Sequence, residues 1–207
     1  FLDWMPDILH CNDWQTALAV IYLKTSYAHL PEFSRVRTIY TIHNIEYQGK
    51  FDPYILGDVF GLDSSYYHIV EYDGCINLMK GAITVSDYVT TVSPNYACEL
   101  RHDFFAFGLA GVIAQAAGKM CGIINGIDYR YFSPETGGGI YAPYNIKNMK
   151  EGKRNNKLRF QEEVGLPADA DTPLLVMISR LASQKGIDLL TRILDELLCD
   201  RVQVVVL

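Results

Sequence analysis

Two cations, Arg180 and Lys185, flank a turn that follows an apolar run, and that pairing could bind an anion. The run, residues 174–178 (Leu-Leu-Val-Met-Ile), reads as a strand buried on both faces, and a helical pattern begins near Gly186. In an open α/β sheet, ligands bind beyond the carboxyl ends of strands. A helix N-terminus at that place offers unpaired N–H groups and a partial positive charge. With a guanidinium and an ammonium added, the corner suits a diphosphate. The same two cations would also serve as ordinary surface charges beside a loop.

Three further groupings sit where strands end. His43-Asn44 directly follow a β-branched run over residues 36–41, so two polar side chains stand at its carboxyl end. They read either as a binding pair or as structural hydrogen-bonders. In His10-Cys11-Asn12-Asp13-Trp14 a strand gives way to a helix, and Asp13 reads as a helix cap or as a ligand-binding carboxylate. Asn125-Gly126 closes a strand over 120–124 and fits a backbone turn. A metal site built from His10, Asp13 and His43 lacks the close spacing of His-x-His or His-x-x-x-His. No Gly-x-Ser-x-Gly elbow and no Gly-x-Gly-x-x-Gly turn is present, which disfavours a serine hydrolase and a nicotinamide enzyme.

The elements that must position these residues alternate. Strands are expected over 6–11, 36–41, 88–92, 120–124, 174–178 and 202–207. Helices are expected from Trp14, over roughly 64–86, from Ser93-Pro94, over 104–118, over 155–164 and over 186–198. Residues 45–63 and 136–154 read as irregular, the latter with Gly137, Gly138 and Gly139. Alternation of this kind gives an α/β fold with doubly wound parallel sheets. The pattern breaks over 125–172, where one domain gives way to the next. A last strand without a covering neighbour and a first residue that is not methionine are expected of a fragment of a larger protein.

Composition narrows the classes. The 207 residues are 49% hydrophobic and 12% aromatic, enough for a packed core. The net charge of −6 gives no general attraction for nucleic acid or an anionic membrane, so an anionic ligand needs local positive charge. No apolar run is long enough to span a bilayer. The five cysteines are widely spaced and lack Cys-x-x-Cys, which fits reduced thiols, with Cys11 and Cys121 expected in the core.

Four motifs, in order, resemble one family. They are His10-Cys11-Asn12-Asp13-Trp14-Gln15, Thr41-Ile42-His43-Asn44-Ile45-Glu46-Tyr47-Gln48-Gly49, Ile124-Asn125-Gly126-Ile127-Asp128 with Ser133-Pro134-Glu135-Thr136, and Ser179-Arg180-Leu181-Ala182-Ser183-Gln184-Lys185-Gly186. Together they are similar to the bacterial glycogen synthases and plant starch synthases, retaining glycosyltransferases of the GT-B type. The resemblance implies two Rossmann-like α/β domains, both only partly present. Residues 1–122 would belong to the acceptor-side domain, and 123–207 to the hinge, a connection and the start of the nucleotide-sugar domain.

It implies ADP-glucose as donor, an α-1,4-glucan as acceptor, no cofactor or catalytic metal, no nucleic-acid or membrane partner, and a cytoplasmic or plastid location. His43 would be catalytic, contacting the transferred glucosyl unit. Asp13, Asn44 and Asn125 would contact sugar or donor, Arg180 and Lys185 the diphosphate, and Gln184, inside the same turn, the donor site. The family's Lys-Thr-Gly-Gly-Leu loop and its downstream donor-binding glutamate segment are absent from these residues. A small-acceptor relative of the sucrose-synthase kind and a non-catalytic sugar-binding module are the alternatives.

Overall fold

The computed structural model describes residues 4–136 and 138–207; Phe1 and Gly137 of the glycine run lie outside the described residues. The chain divides into two compact units, one ending at Gly126 and the other beginning at Ile127. No helix among the described residues is long and apolar enough to cross a membrane.

The first unit opens with β1 (Ile8–Asn12), α1 (Asp13–Lys24) and β2 (Arg37–Ile42). Next come β3 (Lys50–Phe51), α2 (Tyr67–Val70), β4 (Glu71–Tyr72), β5 (Cys75–Asn77) and α3 (Leu78–Val85). It closes with β6 (Tyr88–Thr91), α4 (Pro94–Glu99), α5 (Asp103–Ala106), α6 (Ala110–Ala116) and β7 (Met120–Gly122). A parallel sheet runs β1-β2-β6-β7, so all four carboxyl ends share one edge. Its core is apolar, with Tyr40, Ile42, Val89, Ile21, Met79, Ile83 and Ile113 fully buried. In α1 the residues at helical spacing, Ala17, Val20 and Ile21, face that core.

Between β2 and β6 the structure departs from the sequence expectation. The stretch read as irregular and then helical carries a three-stranded antiparallel sheet, β3-β5-β4. Strands of two or three residues are too short to show alternation, which is why the pattern hid them. Their hairpin turns at Asp73-Gly74, both at positive φ (52° and 73°), the geometry that favours Asp-Gly. The helix expected over 104–118 is likewise broken, by Phe107 and Gly108 at φ of 48° and 87°. Ser93 caps α4 as its position before Pro94 suggests, accepting from the amides of Asn95 and Tyr96. Cys121 is exposed rather than core, because β7 is the sheet's edge strand; Cys11 is buried, and all five thiols are free.

At the opposite, amino-end edge of the sheet, Asp87 clamps β2 to β6. It accepts from Lys24 Nζ at 2.7 Å, from the Thr38 amide at 2.7 Å and from the Thr38 hydroxyl at 2.9 Å. Burial alone would raise its pKa, but these bonds outweigh burial and bring the carboxyl down to about 2. A folded pKa below the unfolded value stabilises the fold above about pH 4, and that contribution fades as pH falls toward 2. Asp87→Asn should therefore cost about 1–2 kcal/mol at pH 7. Urea unfolding across pH should show the gap to wild type narrowing below pH 4. A gap that stayed constant down to pH 2 would assign the loss to packing instead of charge.

The second unit contains α7 (Met149–Glu163), β8 (Leu174–Met177), α8 (Ile187–Cys199) and β9 (Gln203–Val206). β8 and β9 pair in parallel. The helix α7 begins six residues ahead of the expected 155, inside the stretch read as a surface connection. Its polar first turns carry no apolar stripe, so periodicity could not mark its start. Gln161, fully buried, links α7 to Asp169 and Gln203 through both ends of its amide. β8 is half-buried at its ends and 43% exposed at Leu175 and Val176, not buried on both faces, because among the described residues only β9 pairs with it. β9 is half-buried for the same reason.

Candidate functional site

The polar groups of the first unit gather where β1 and β2 end. Asp13 is the residue that turns strand into helix, and its backbone is left-handed, with φ of 54°. Asp tolerates that conformation better than most residues. Its carboxylate does not cap α1, contrary to the helix-cap reading, and neither does the side chain of Asn12. Instead Oδ1 of Asp13 accepts the backbone N–H of His43 at 2.8 Å. The hydroxyl of Thr16 takes over at the helix start, accepting from the Asn12 amide and donating to the Asn12 carbonyl.

The His43 ring is exposed, and its Nε2 lies 2.9 Å from Oδ1 of Asn12. With an amide oxygen as acceptor, Nε2 carries the proton, and Nδ1 is bare in the neutral ring. Asp13 thus holds the backbone of His43 and Asn12 holds its ring. The chain on either side is anchored, since Ile42 and Ile45 are buried and the Ile45 amide donates to Tyr96 Oη at 3.3 Å. Half-buried Asn44 folds the next turn, its Oδ1 accepting from the Glu46 amide at 3.0 Å.

Beneath this turn, one face of the sheet carries a row of hydrogen bonds. His10 Nε2 meets Thr41 Oγ1 at 2.7 Å, and Thr41 meets Thr90 at 2.6 Å, joining β1, β2 and β6. His10 and Asp13 are therefore engaged separately. Among the described residues no group of three or more His, Cys, Asp or Glu is placed to hold a metal ion.

Gln48 and Gly49, the end of the Thr41–Gly49 motif, explain themselves through packing. Buried Gln48 accepts from Asn77 Nδ2 at 2.7 Å and donates to the Phe107 carbonyl at 3.0 Å. Its own carbonyl accepts from the Met79 amide, and that of Gly49 from the Leu78 amide, at the start of α3. Gly49 has φ of 65°, and a Cβ there would come within 2.8 Å of the Trp14 ring. Neither the Asn12–His43 bond nor the Gln48 anchor is among the sequence candidates. Asn12 does carry a signal, since it is the last residue of β1 and pairs in register with Thr41.

Asn125 is exposed in the stretch after β7, at the same sheet edge. β7 keeps its pairing one residue further, through the Ile123 amide and the Thr91 carbonyl at 2.8 Å.

In the second unit, exposed Arg180 follows β8, and a tight turn returns the Ala182 amide to the Arg180 carbonyl at 2.8 Å. A single 3₁₀ turn, Ser183–Lys185, leads into Gly186 at φ of 76°. Gly186 is the N-cap of α8 and supplies no capping side chain, so the first turn's N–H groups keep their donor capacity. Arg180 and Lys185 form no ion pair among the described residues, and Gln184 lies exposed between them. Asp188 adds a carboxylate to the same first turn. The structure thus brings together Asp13, His43 and Asn44 in one unit, and Arg180, Gln184 and Lys185 in the other.

The family model for the starch synthase catalytic domain matches residues 1–115, a stretch that holds both the β1 and the β2 end. The glycogen synthase of Thermotoga maritima is 46% identical over 208 residues, covering 100% of this chain and 42% of that protein. That of Alkaliphilus metalliredigens is 41% identical over 208 residues, with 100% and 44% covered. The chain therefore spans less than half the length of these curated relatives. The solved catalytic domain of Starch Synthase IV from Arabidopsis thaliana, bound to ADP and acarbose, superposes with a TM-score of 0.83 at 35% identity. The superposition covers 98% of this chain and 42% of that one, and the parallel α/β sheets here match that GT-B structure. With more than half its residues inside the family's pattern, including the strand ends that carry Asp13 and His43, this chain belongs to the starch synthase catalytic domain family.

Proposed function

We propose that this chain is part of a glycogen or starch synthase. Glucose passes from ADP-glucose to the 4-hydroxyl at the non-reducing end of an α-1,4-glucan, with retention of configuration. Residues 1–122 form the acceptor-side portion, and 123–207 the hinge, connection and start of the donor domain. The protein works in the cytoplasm, or in a plastid if from a plant. The observation that carries this reading is the His43 turn, an exposed imidazole held at the backbone by Asp13 and at the ring by Asn12. A ring fixed at both points before substrate arrives can meet developing charge without reorganising.

In this reading His43 faces the transferred glucosyl unit, with Asp13 and Asn44 beside it. Arg180 and Lys185 bind the diphosphate and steady its charge as it departs, with Gln184 and Asn125 completing the donor's surroundings. The absence of ion pairs at Arg180 and Lys185 among the described residues suits this role, as no internal bridge must break first. Each charge-assisted bond contributes about 1.5–3 kcal/mol. Arg180→Ala in the full-length parent should then lower kcat/KM for ADP-glucose by roughly tenfold to a hundredfold. Lysine at 180 should recover little of this, since it lacks the planar fork.

The test is glucan elongation with ADP-glucose, UDP-glucose and glycogen, in wild type and Arg180→Ala. Elongation from ADP-glucose that collapses in the variant supports donor and site together. Unchanged elongation removes Arg180 from the mechanism, and no elongation from either donor overturns the synthase reading.

A further inference from the structure

The short helix α5 and the turn that follows it have a composition that burial does not explain. Three phenylalanines fall within four residues, and all are exposed: Phe104 at 86%, Phe105 at 40% and Phe107 at 51%. The Phe104 and Phe105 rings meet edge to face, 5.0 Å apart. Phe107 adopts a left-handed backbone that non-glycine residues take only when their surroundings enforce it. The enforcing contacts are its own carbonyl, which accepts from Gln48 Nε2, and the Gly108 carbonyl, which accepts from Tyr72 Oη at 2.5 Å. Gln48 is itself buried, fixed by Asn77, and part of the His43 turn's anchor. One glutamine therefore holds both the site loop and the aromatic turn.

We propose that the Phe104–Phe107 turn is a platform for the acceptor glucan, its phenyl rings stacked on pyranose faces of an α-1,4-linked chain. This rests on the glucan reading above. A pyranose presents an apolar C–H face bordered by hydroxyls. The phenyl rings match the face, and exposed Arg101, His102 and Asp103 at the start of the turn match the hydroxyls. A protein partner would instead favour an apolar centre depleted of charge, whereas here three ionisable residues directly precede the rings. The bond from buried Gln48 ties the backbone at Phe107 to the loop that carries His43, so the two are braced by the same residue.

The experiment uses the full-length parent protein, comparing Phe104→Ala, Phe107→Ala and Phe104→Trp with wild type. The KM for glycogen should rise roughly tenfold in the alanine variants. The KM for ADP-glucose and the thermal midpoint should stay at wild-type values, and tryptophan at 104 should restore glycogen affinity. An unchanged KM for glycogen overturns the platform. So does a clear fall in thermal midpoint, since that would mean the rings pack against protein in the full chain. Wild-type elongation with an unchanged Phe104→Ala removes the platform alone, whereas a wild type that elongates no glucan removes the synthase reading and the platform with it.

Discussion

Glucan elongation by the full-length parent protein should fall by about 10²–10³-fold in kcat when His43 is replaced by alanine, the loss typical of removing one preorganised transition-state contact. The expectation follows from how little else His43 does. Its ring is exposed and, among the described residues, bonds to Asn12 alone, so the fold should not register its removal. The thermal midpoint should stay at the wild-type value. The bond from Asp13 runs to the His43 backbone and survives the substitution. Asn12→Ala, which frees the ring but keeps it, should lower kcat by a smaller factor. A His43→Ala protein that elongated glycogen at the wild-type rate would take the imidazole out of the chemistry and leave it as ornament on a structural turn.

The largest stability effect is expected at Gly122. A Cβ there would collide with the backbone of Ser93 and Pro94, where β6 hands over to α4. Those atoms cannot swing aside as a side chain can, because Ser93 is capping α4 and Thr91, two residues earlier, pairs in register with Gly122 itself. Gly122→Ala should therefore cost about 3 kcal/mol or more. For a unit of this size that corresponds to a drop in thermal midpoint on the order of 10 °C or more. Gly111, in the first turn of α6, is the matched control, since a Cβ added there meets nothing within 4 Å. Alanine at 111 should be neutral or stabilising by up to about 1 kcal/mol. Equal midpoints for the two variants would show that the β6–α4 junction yields more readily than its hydrogen bonds suggest.

What can be read from the chain in advance follows from range. β2, β6 and β8 each carry a largely apolar or β-branched run that stops at a polar residue, and β1 a shorter one broken by His10; these signals are local. The placement of Asp13, His43, Asn44 and Arg180 at or just after strand ends is legible for the same reason. The β3-β5-β4 sheet is not, because strands of two or three residues cannot repeat an alternation of period two, although Asp73-Gly74 marks its hairpin. Cys121 and β8 prove more exposed than expected because an apolar residue in a strand says nothing about whether a neighbour covers it. The contacts that fix the site loop lie furthest out of reach. Gln48 joins Asn77 and Phe107 across 29 and 59 residues of sequence, and no periodicity links such positions.

The left-handed backbone at Asp13 has a consequence for which sequences this corner can hold. Few residue types accept that conformation, chiefly glycine, asparagine and aspartate. Glycine would satisfy the backbone and release the His43 amide; asparagine could keep an oxygen for that amide but would bring no negative charge. Aspartate alone accepts the chain's path and offers the His43 amide a charged acceptor at once. Mutational drift at this position is therefore confined by two independent filters whose overlap is nearly a single residue, so the corner can lose its chemistry gradually but has almost no alternative spelling through which to keep it.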